Sequence, residues 1–229
     1  MKEFLDIVDE NGQPTGEIVD RETAHAKGIL HRTSHVWLAR RKNGKVQILL
    51  QKRAKHKSSF PGCYDISSAG HIPAGDSYKI SALRELEEEL GVQAEEKELI
   101  YCGDRKVIWD DVFFGKPFHD RQISRVFLLW LDREESEFKL QESEVDGVLW
   151  MDFDQCYDGV KNDLFRNCIA LEELEIIGGF AVCAGVSDER GKNKNGHCMV
   201  RRRKHWLRTH DGKGWDDSDA GGKGCFADQ

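Results

Sequence analysis

The stretch Gly70–Val92, GHIPAGDSYKISALRELEEELGV, sets four glutamates within five residues, after an arginine and just before a glycine. At roughly 100° per residue, Glu85, Glu88 and Glu89 share one face of a helix. Leu83, Leu86 and Leu90 share another, suited to a core. Glu87 projects away from the trio, and Arg84 is four residues before Glu88, within ion-pair reach. The spacing predicts a helix over residues 76–90, stopped at Gly91. One reading is an amphipathic helix with a charged outer face. Against it, like charges at Glu85 and Glu89 destabilise a helix, whereas three neighbouring carboxylates suit a hard cation such as Mg2+, which takes oxygen ligands and keeps waters and phosphates in its shell. Gly70 and Gly75 bracket HIPA and allow a tight turn at the helix entry, where a main-chain carbonyl could join the carboxylates.

Working outward, FLDIVDENGQPTGEIVDR predicts a hairpin turning at Asn11-Gly12, and HVWLARRKNGKVQILLQKRA a stronger one turning at Asn43-Gly44. RETAHAKG predicts a short helix ended by Gly28. A strand over ELIYCGDRKVIW, a loop over 110–119 and a buried strand over ISRVFLLWLD follow. A helix capped by Asp152 or Asp154 and a last helix over 163–177 complete the pattern. Strands in mixed hairpin and crossover order with few helices imply an α/β sandwich around a mixed sheet.

Composition bounds the rest. The 229 residues carry a net charge of −7, which argues against a globally basic nucleic-acid binder. No apolar run approaches the ~20 residues of a membrane helix. The acidic start MKEFLDIVDE lacks a signal-peptide core, so a cytoplasmic protein is expected. Seven cysteines without a CxxC pair read as reduced thiols. From Gly178 onward ten Lys/Arg face seven Asp/Glu, so that stretch is +3 and the remainder −10. Ten of the 22 glycines fall there too. The expected division is therefore a main globular domain over 1–177 and a Gly-rich basic tail over 178–229. Within the tail, Val200–Trp206 could meet phosphates; Cys183, His197, Cys198 and His205 match no zinc-finger spacing.

The opening stretch resembles the signature of the Nudix hydrolase superfamily: Gly, five residues, Glu, seven residues, Arg-Glu-aliphatic-any-Glu-Glu-any-Gly-aliphatic. Gly70 and the run Arg84–Val92 fit at the correct spacing; the single departure is Asp76 in place of the first glutamate. The resemblance implies a Nudix α/β/α sandwich with a mixed sheet and Mg2+- or Mn2+-dependent cleavage of an organic diphosphate, such as a nucleoside di- or triphosphate. It implies metal-site roles for Glu85, Glu88, Glu89 and the Ala69 carbonyl, with Glu85 alternatively acting on the attacking water and Arg84 positioning the glutamates.

Residues 1–175 further resemble isopentenyl diphosphate isomerase, a Nudix-fold enzyme that moves protons instead of hydrolysing. Its catalytic cysteine position is Ala69 here, and Cys63 is six residues too early. Its metal-binding histidines are matched by His25, His31 and His71, but its two glutamates fall near Asp120 and Gln122, so one carboxylate has become an amide. Ordinary hydrogen-bonded histidines are the expectation that follows. Arg53 and Lys57 match its diphosphate-gripping basic residues, and His71 joins them as a substrate contact. Asp120 is the candidate metal carboxylate from outside the signature, with Asp110 and Asp111 as rivals. Trp109, Phe113, Phe114 and Phe118 could cap a substrate or simply pack. An alanine cannot transfer a proton, so an isomerase-like frame carrying hydrolase residues is the expectation. The expected partner is a small-molecule diphosphate, with no membrane; a homodimer is left open.

Overall fold

The computed structural model describes residues 2–113 and 115–183. The chain divides into two compact units, Met1–Val182 and Cys183–Gln229. The sequence features singled out from His197 to Trp206 lie outside the described residues, as does the side chain of Cys183.

A two-stranded ribbon, β1 (Phe4–Val8) and β2 (Pro14–Asp20), leads into α1 (Arg21–Lys27). Asp20 caps α1 by accepting from Thr23 N, and Gly28 ends it at φ 64°. The main sheet has seven strands. Five run in the order β5 (Tyr64–Asp65), β4 (Lys45–Arg53), β3 (His31–Lys42), β8 (Lys116–Trp130), β7 (Ile100–Phe113). β6 (Ser68–His71) also pairs with β3, and β9 (Val145–Asp152) with β4. β3 and β8 run parallel, and the other pairs are antiparallel, so the sheet is mixed as expected. The β3–β4 turn is Asn43-Gly44, both with positive φ, the geometry that a tight hairpin demands.

Successive strand residues point to opposite faces, and the core divides accordingly. Val36, Leu38, Leu49 and Phe127 pack beneath α2 (Tyr78–Leu90) with Ala82, Leu86 and Leu90. Trp37, Ala39, Ile48, Leu50, Val126 and Leu128 pack on the other face with Cys156 of α3 (Phe153–Lys161) and with Leu174 and Ile177 of α4 (Leu171–Cys183). This is the three-layer α/β/α sandwich.

Three local expectations change. The predicted loop 110–119 belongs to a long hairpin, because β7 and β8 stay paired from Ile100↔Leu128 out to Phe113↔Lys116. The last helix starts at Leu171, not near 163. Residues 166–168 instead lie along β5: Tyr64 N donates to Arg166 O, and Cys168 N to Tyr64 O. The compositional break at Gly178-Gly179 falls inside α4, which runs on to Cys183.

Candidate active site

The β6–α2 connection is fastened from outside. Asp6 Oδ2 accepts from Gly75 N (3.0 Å) and from Arg32 Nη2 (2.7 Å); that same Arg32 nitrogen donates to Asp76 O. Asp76 thus contributes its main chain to the loop. Ser77, not Asp76, caps α2 by accepting from Ile80 N, and Gly91 closes the helix in the left-handed region. Neither Asp6 nor Arg32 carried a recognisable pattern in the sequence.

The register of β6 on β3 decides which side each group faces. Ser34 opposes Gly70 and Val36 opposes Ser68, so Ser68 and Gly70 look toward α2. Thr33 opposes His71 and His35 opposes Ala69, so Ala69 and His71 look the other way. Glu85 lies flat on Gly70: a Cβ added there would sit 2.3 Å from Glu85 Cδ. The glycine is therefore the space that the carboxylate occupies. Arg84 Nη2 reaches Glu85 Oε1 at 2.9 Å, Arg84 Nη1 reaches Glu88 Oε2 at 3.3 Å, and Arg84 Nη2 also donates to His71 O at 3.4 Å. Arg84 thus bridges two glutamates, Glu85 and Glu88.

The three glutamates have unequal surroundings. Burial pushes the Glu85 carboxyl up to about 6, against the opposing pull of Arg84. Glu88 is exposed. Glu89 is buried, 7% accessible, and burial pushes its carboxyl up to about 8. The Ser68 hydroxyl works against that burial but makes no hydrogen bond of normal geometry, and Glu89 Oε2 has no partner either. Among the described residues these carboxylates do not form a group of three with ligand atoms within 4.8 Å. The trio expected to converge is thus a pair on Arg84 plus one buried carboxylate. The Ala69 main chain lies between Ser68 and Gly70, hence between Glu89 and Glu85.

Asp120 is not with the glutamates. On β8 it shares a face with Gln122, which opposes His31, and Gln122 Nε2 donates to Asp120 Oδ2 at 3.1 Å. Its Oδ1 lies 3.8 Å from His25 Nδ1. His25, His31 and His71 do converge, with ligand nitrogens all within 4.8 Å. His25 Nε2 is 3.1 Å from His71 Nε2. His31 Nδ1 donates to Ile29 O at 2.8 Å, which fixes Nε2 as its lone-pair nitrogen. His31 Nε2, His25 Nδ1 and Asp120 Oδ1 are buried and make no hydrogen bond. Burial lowers all three histidines, His25 to about 4, and raises Asp120 to about 6. Each of the three rings makes a hydrogen bond, and His71 faces its fellow histidines instead of the glutamates. Neutral imidazoles with converging lone pairs suit a borderline divalent ion. Asp110, the other candidate, is taken by Arg121 and His119; Asp111 is exposed on the hairpin.

Arg53 and Lys57 are both engaged with protein groups. Arg53 donates to Asp65 (3.0 Å) and to the Ser59 carbonyl and hydroxyl, and Lys57 is paired with Glu144. Phe60, Trp109, Phe118 and His25 form a run of neighbouring rings with centroids 5.4, 6.0 and 4.4 Å apart. Phe114 and the Phe113 side chain lie outside the described residues.

Residues 30–167 match the family model of the NUDIX domain. The chain belongs to the Nudix family. An uncharacterized Nudix hydrolase from Clostridium acetobutylicum is 36% identical over 154 residues, covering 67% of this chain and 72% of the relative. The isopentenyl-diphosphate Delta-isomerase of Pectobacterium atrosepticum is 37% identical over 87 residues, 39% of this chain and 47% of that enzyme. The chain spans only 21% of Nudix hydrolase 3 of Arabidopsis thaliana, at 39% identity over 75% of its own length. A crystal structure from Deinococcus radiodurans shares the fold with a TM-score of 0.55 at 20% identity, covering 76% of this chain and 98% of that one. Like its Nudix hydrolase relatives, the chain is an enzyme of this family. Among the described residues no helix is long and apolar enough to cross a membrane.

Proposed function

We propose that the chain is a Mg2+- or Mn2+-dependent hydrolase that cleaves a diphosphate linkage in a nucleoside di- or triphosphate or another organic diphosphate. The observation that carries this reading is the buried, unpartnered Glu89 carboxylate oxygen beside the complete Arg84–Val92 signature. An oxygen left bare at that depth is expensive, and a hard cation taking oxygen ligands fits the donors present there: Glu89, Glu85 and the Ala69 carbonyl. Glu88, exposed at the edge, joins from the solvent side. Such an ion neutralises a diphosphate, acidifies water and offsets charge on the leaving phosphate. The protein groups do the remainder. Glu85, which lies against Gly70 and pairs with Arg84, would orient the attacking water or accept its proton. Arg53 shapes the loop from Ala54 to Cys63, and Lys57 brings a mobile cation to phosphate oxygens.

An isomerase reading has one observation in its favour, the converging His25, His31 and His71. It lacks the proton-transferring group, since Ala69 stands at the cysteine position. Glu89→Gln tests the hydrolase reading. It keeps the side-chain volume, so folding should survive while phosphate release from a panel of diphosphates falls at least 100-fold. Unchanged release would sink the assignment.

A further inference from the structure

β7 closes the main sheet on one side, and among the described residues it pairs with β8 alone. β8 meets β3 only from Gln122 onward. Residues 108–113 and 116–121 therefore stand beyond the sheet as a two-stranded ribbon, a form that is marginal by itself in water. One face of the ribbon is covered, where Phe118 stacks on His25 of α1 with centroids 4.4 Å apart. The opposite face carries Ile108 and Val112, 63% and 62% accessible. Of the eight large apolar side chains exposed among the described residues, Ile100, Tyr101, Ile108 and Val112 lie on β7, so the exposed apolar surface gathers on this strand.

An open edge is a template for a further strand, and natural sheets defend it with short strands, proline, bulges or lysine. β9, which pairs with β4 alone, is eight residues long, and Glu135 Oε1 accepts from its Trp150 N. β7 is 14 residues long, holds no proline, and is bulged only between Tyr101 and Gly103. Its one lysine, Lys106, is turned to Glu10. Val112 N donates to the Asp111 carboxylate at 2.7 Å, so it turns away from β8. Antiparallel ladders alternate, so Asp104, Lys106, Ile108 and Asp110 also turn their N–H and C=O groups to the open edge.

The strand is complementary to itself. A two-fold axis through Ile108 sets Lys106 of each copy against Asp110 of the other, and Arg105 against Asp111, with the two Ile108 side chains meeting at the axis. Neighbouring registers that also match edge groups to edge groups oppose like charges or set Ile108 against a charge. An axis at Lys106 opposes two lysines, and one at Asp110 two aspartates. An axis at Val107 sets Asp104 against Asp110, and one at Trp109 sets Ile108 against Asp110. The Lys106 and Asp110 side chains are about half exposed beside their own-chain partners, which leaves both open to a second one.

We propose that β7 is a dimer interface: two copies of this chain join edge to edge, antiparallel about Ile108, into one continuous sheet. Main-chain hydrogen bonds from Asp104 to Val112 supply the affinity, and the charge pattern fixes the register.

The test is the molar mass of the full chain by light scattering over a concentration series, set against 26.2 kDa for one copy. The wild type is expected at twice that mass. Ile108→Lys puts two ammonium groups at the axis and should raise the dimer dissociation constant about 100-fold or more, since a central position counts twice. Ile108→Cys should cross-link to itself when oxidised by glutathione disulfide, because directly opposed residues have Cα atoms about 5.5 Å apart. Asp104→Cys, which faces Val112 in this register, should not. A monomeric wild type, or a dimer that Ile108→Lys leaves intact, overturns the proposal. Should Ile108→Lys not fold, the cysteine variants decide: cross-linking of Ile108→Cys alone supports the axis, and none, or equal cross-linking of both, overturns it.

Discussion

Adding one methyl group at Gly70 should disable the site without unfolding the protein. The Cβ of Gly70→Ala would lie 2.3 Å from Glu85 Cδ and 2.4 Å from Cγ and Oε1, where ordinary contact begins at 3.4 Å. The carboxylate must retreat by roughly 1 Å, since β6 is held in register on β3 through the Ser34↔Gly70 pair. Gly70 is not among the positive-φ glycines, so its backbone accepts alanine and the whole effect falls on Glu85. A displacement of about 1 Å at a catalytic group costs on the order of 100-fold in rate, while overpacking costs about 1–3 kcal/mol of stability. The assay is kcat for Mg2+-dependent phosphate release alongside thermal unfolding. Expected are a kcat about 100-fold lower and a transition still cooperative. Gly147→Ala, where nothing lies within 4 Å, is the control and should change neither. A Gly70→Ala enzyme with kcat within threefold of wild type would refute the placement of Glu85.

The buried His35–Glu173 pair (2.8 Å) gives the fold a pH window. Burial would lower His35, but Glu173 outweighs it and raises the imidazole above 6.5; burial would raise Glu173, but His35 and Arg105 hold it below 4.5. His35 therefore contributes stability that is complete below pH 6.5 and lost as pH rises through its raised value. The Glu173 contribution is complete above pH 4.5 and lost as pH falls through its lowered value. Glu173→Gln should cost about 3–5 kcal/mol near pH 6 in denaturant titrations, and a cost below 1 kcal/mol there would contradict the pairing. The histidine cluster should bind Co2+ with the visible absorption of a low-coordinate nitrogen site, and His31→Asn should abolish that spectrum; a featureless wild-type titration would rule such a site out.

The fold was legible where local chemistry and long-range pairing agree. Asn43-Gly44, Gly28 and Gly91 each mark a backbone position that only a few residues accept, and each lies where the sequence puts it. The helix bearing Glu85, Glu88 and Glu89 was legible for the same reason, since its leucines repeat at the helical period. The 110–119 segment was not: glycine and proline suggest a loop, yet partner strands extend the ladder around them. Residues 163–170 carry helical spacing, but 166–168 are claimed by the β5 edge. At the site, residue types were readable and faces were not. Asp120 and Glu85 are both acids near the expected chemistry, and only the register of β3 with β6 and β8 separates them onto two sides of the sheet.

The central claim is metal-dependent diphosphate hydrolysis at the Glu85–Glu89 site. Its most direct test is product analysis with Mg2+ across nucleoside diphosphates, nucleoside triphosphates and isopentenyl diphosphate. Expected are release of phosphate or a monophosphate from at least one of them, lost in Glu85→Gln, and no dimethylallyl isomer. Formation of that isomer, or cleavage unaffected by Glu85→Gln, would contradict it.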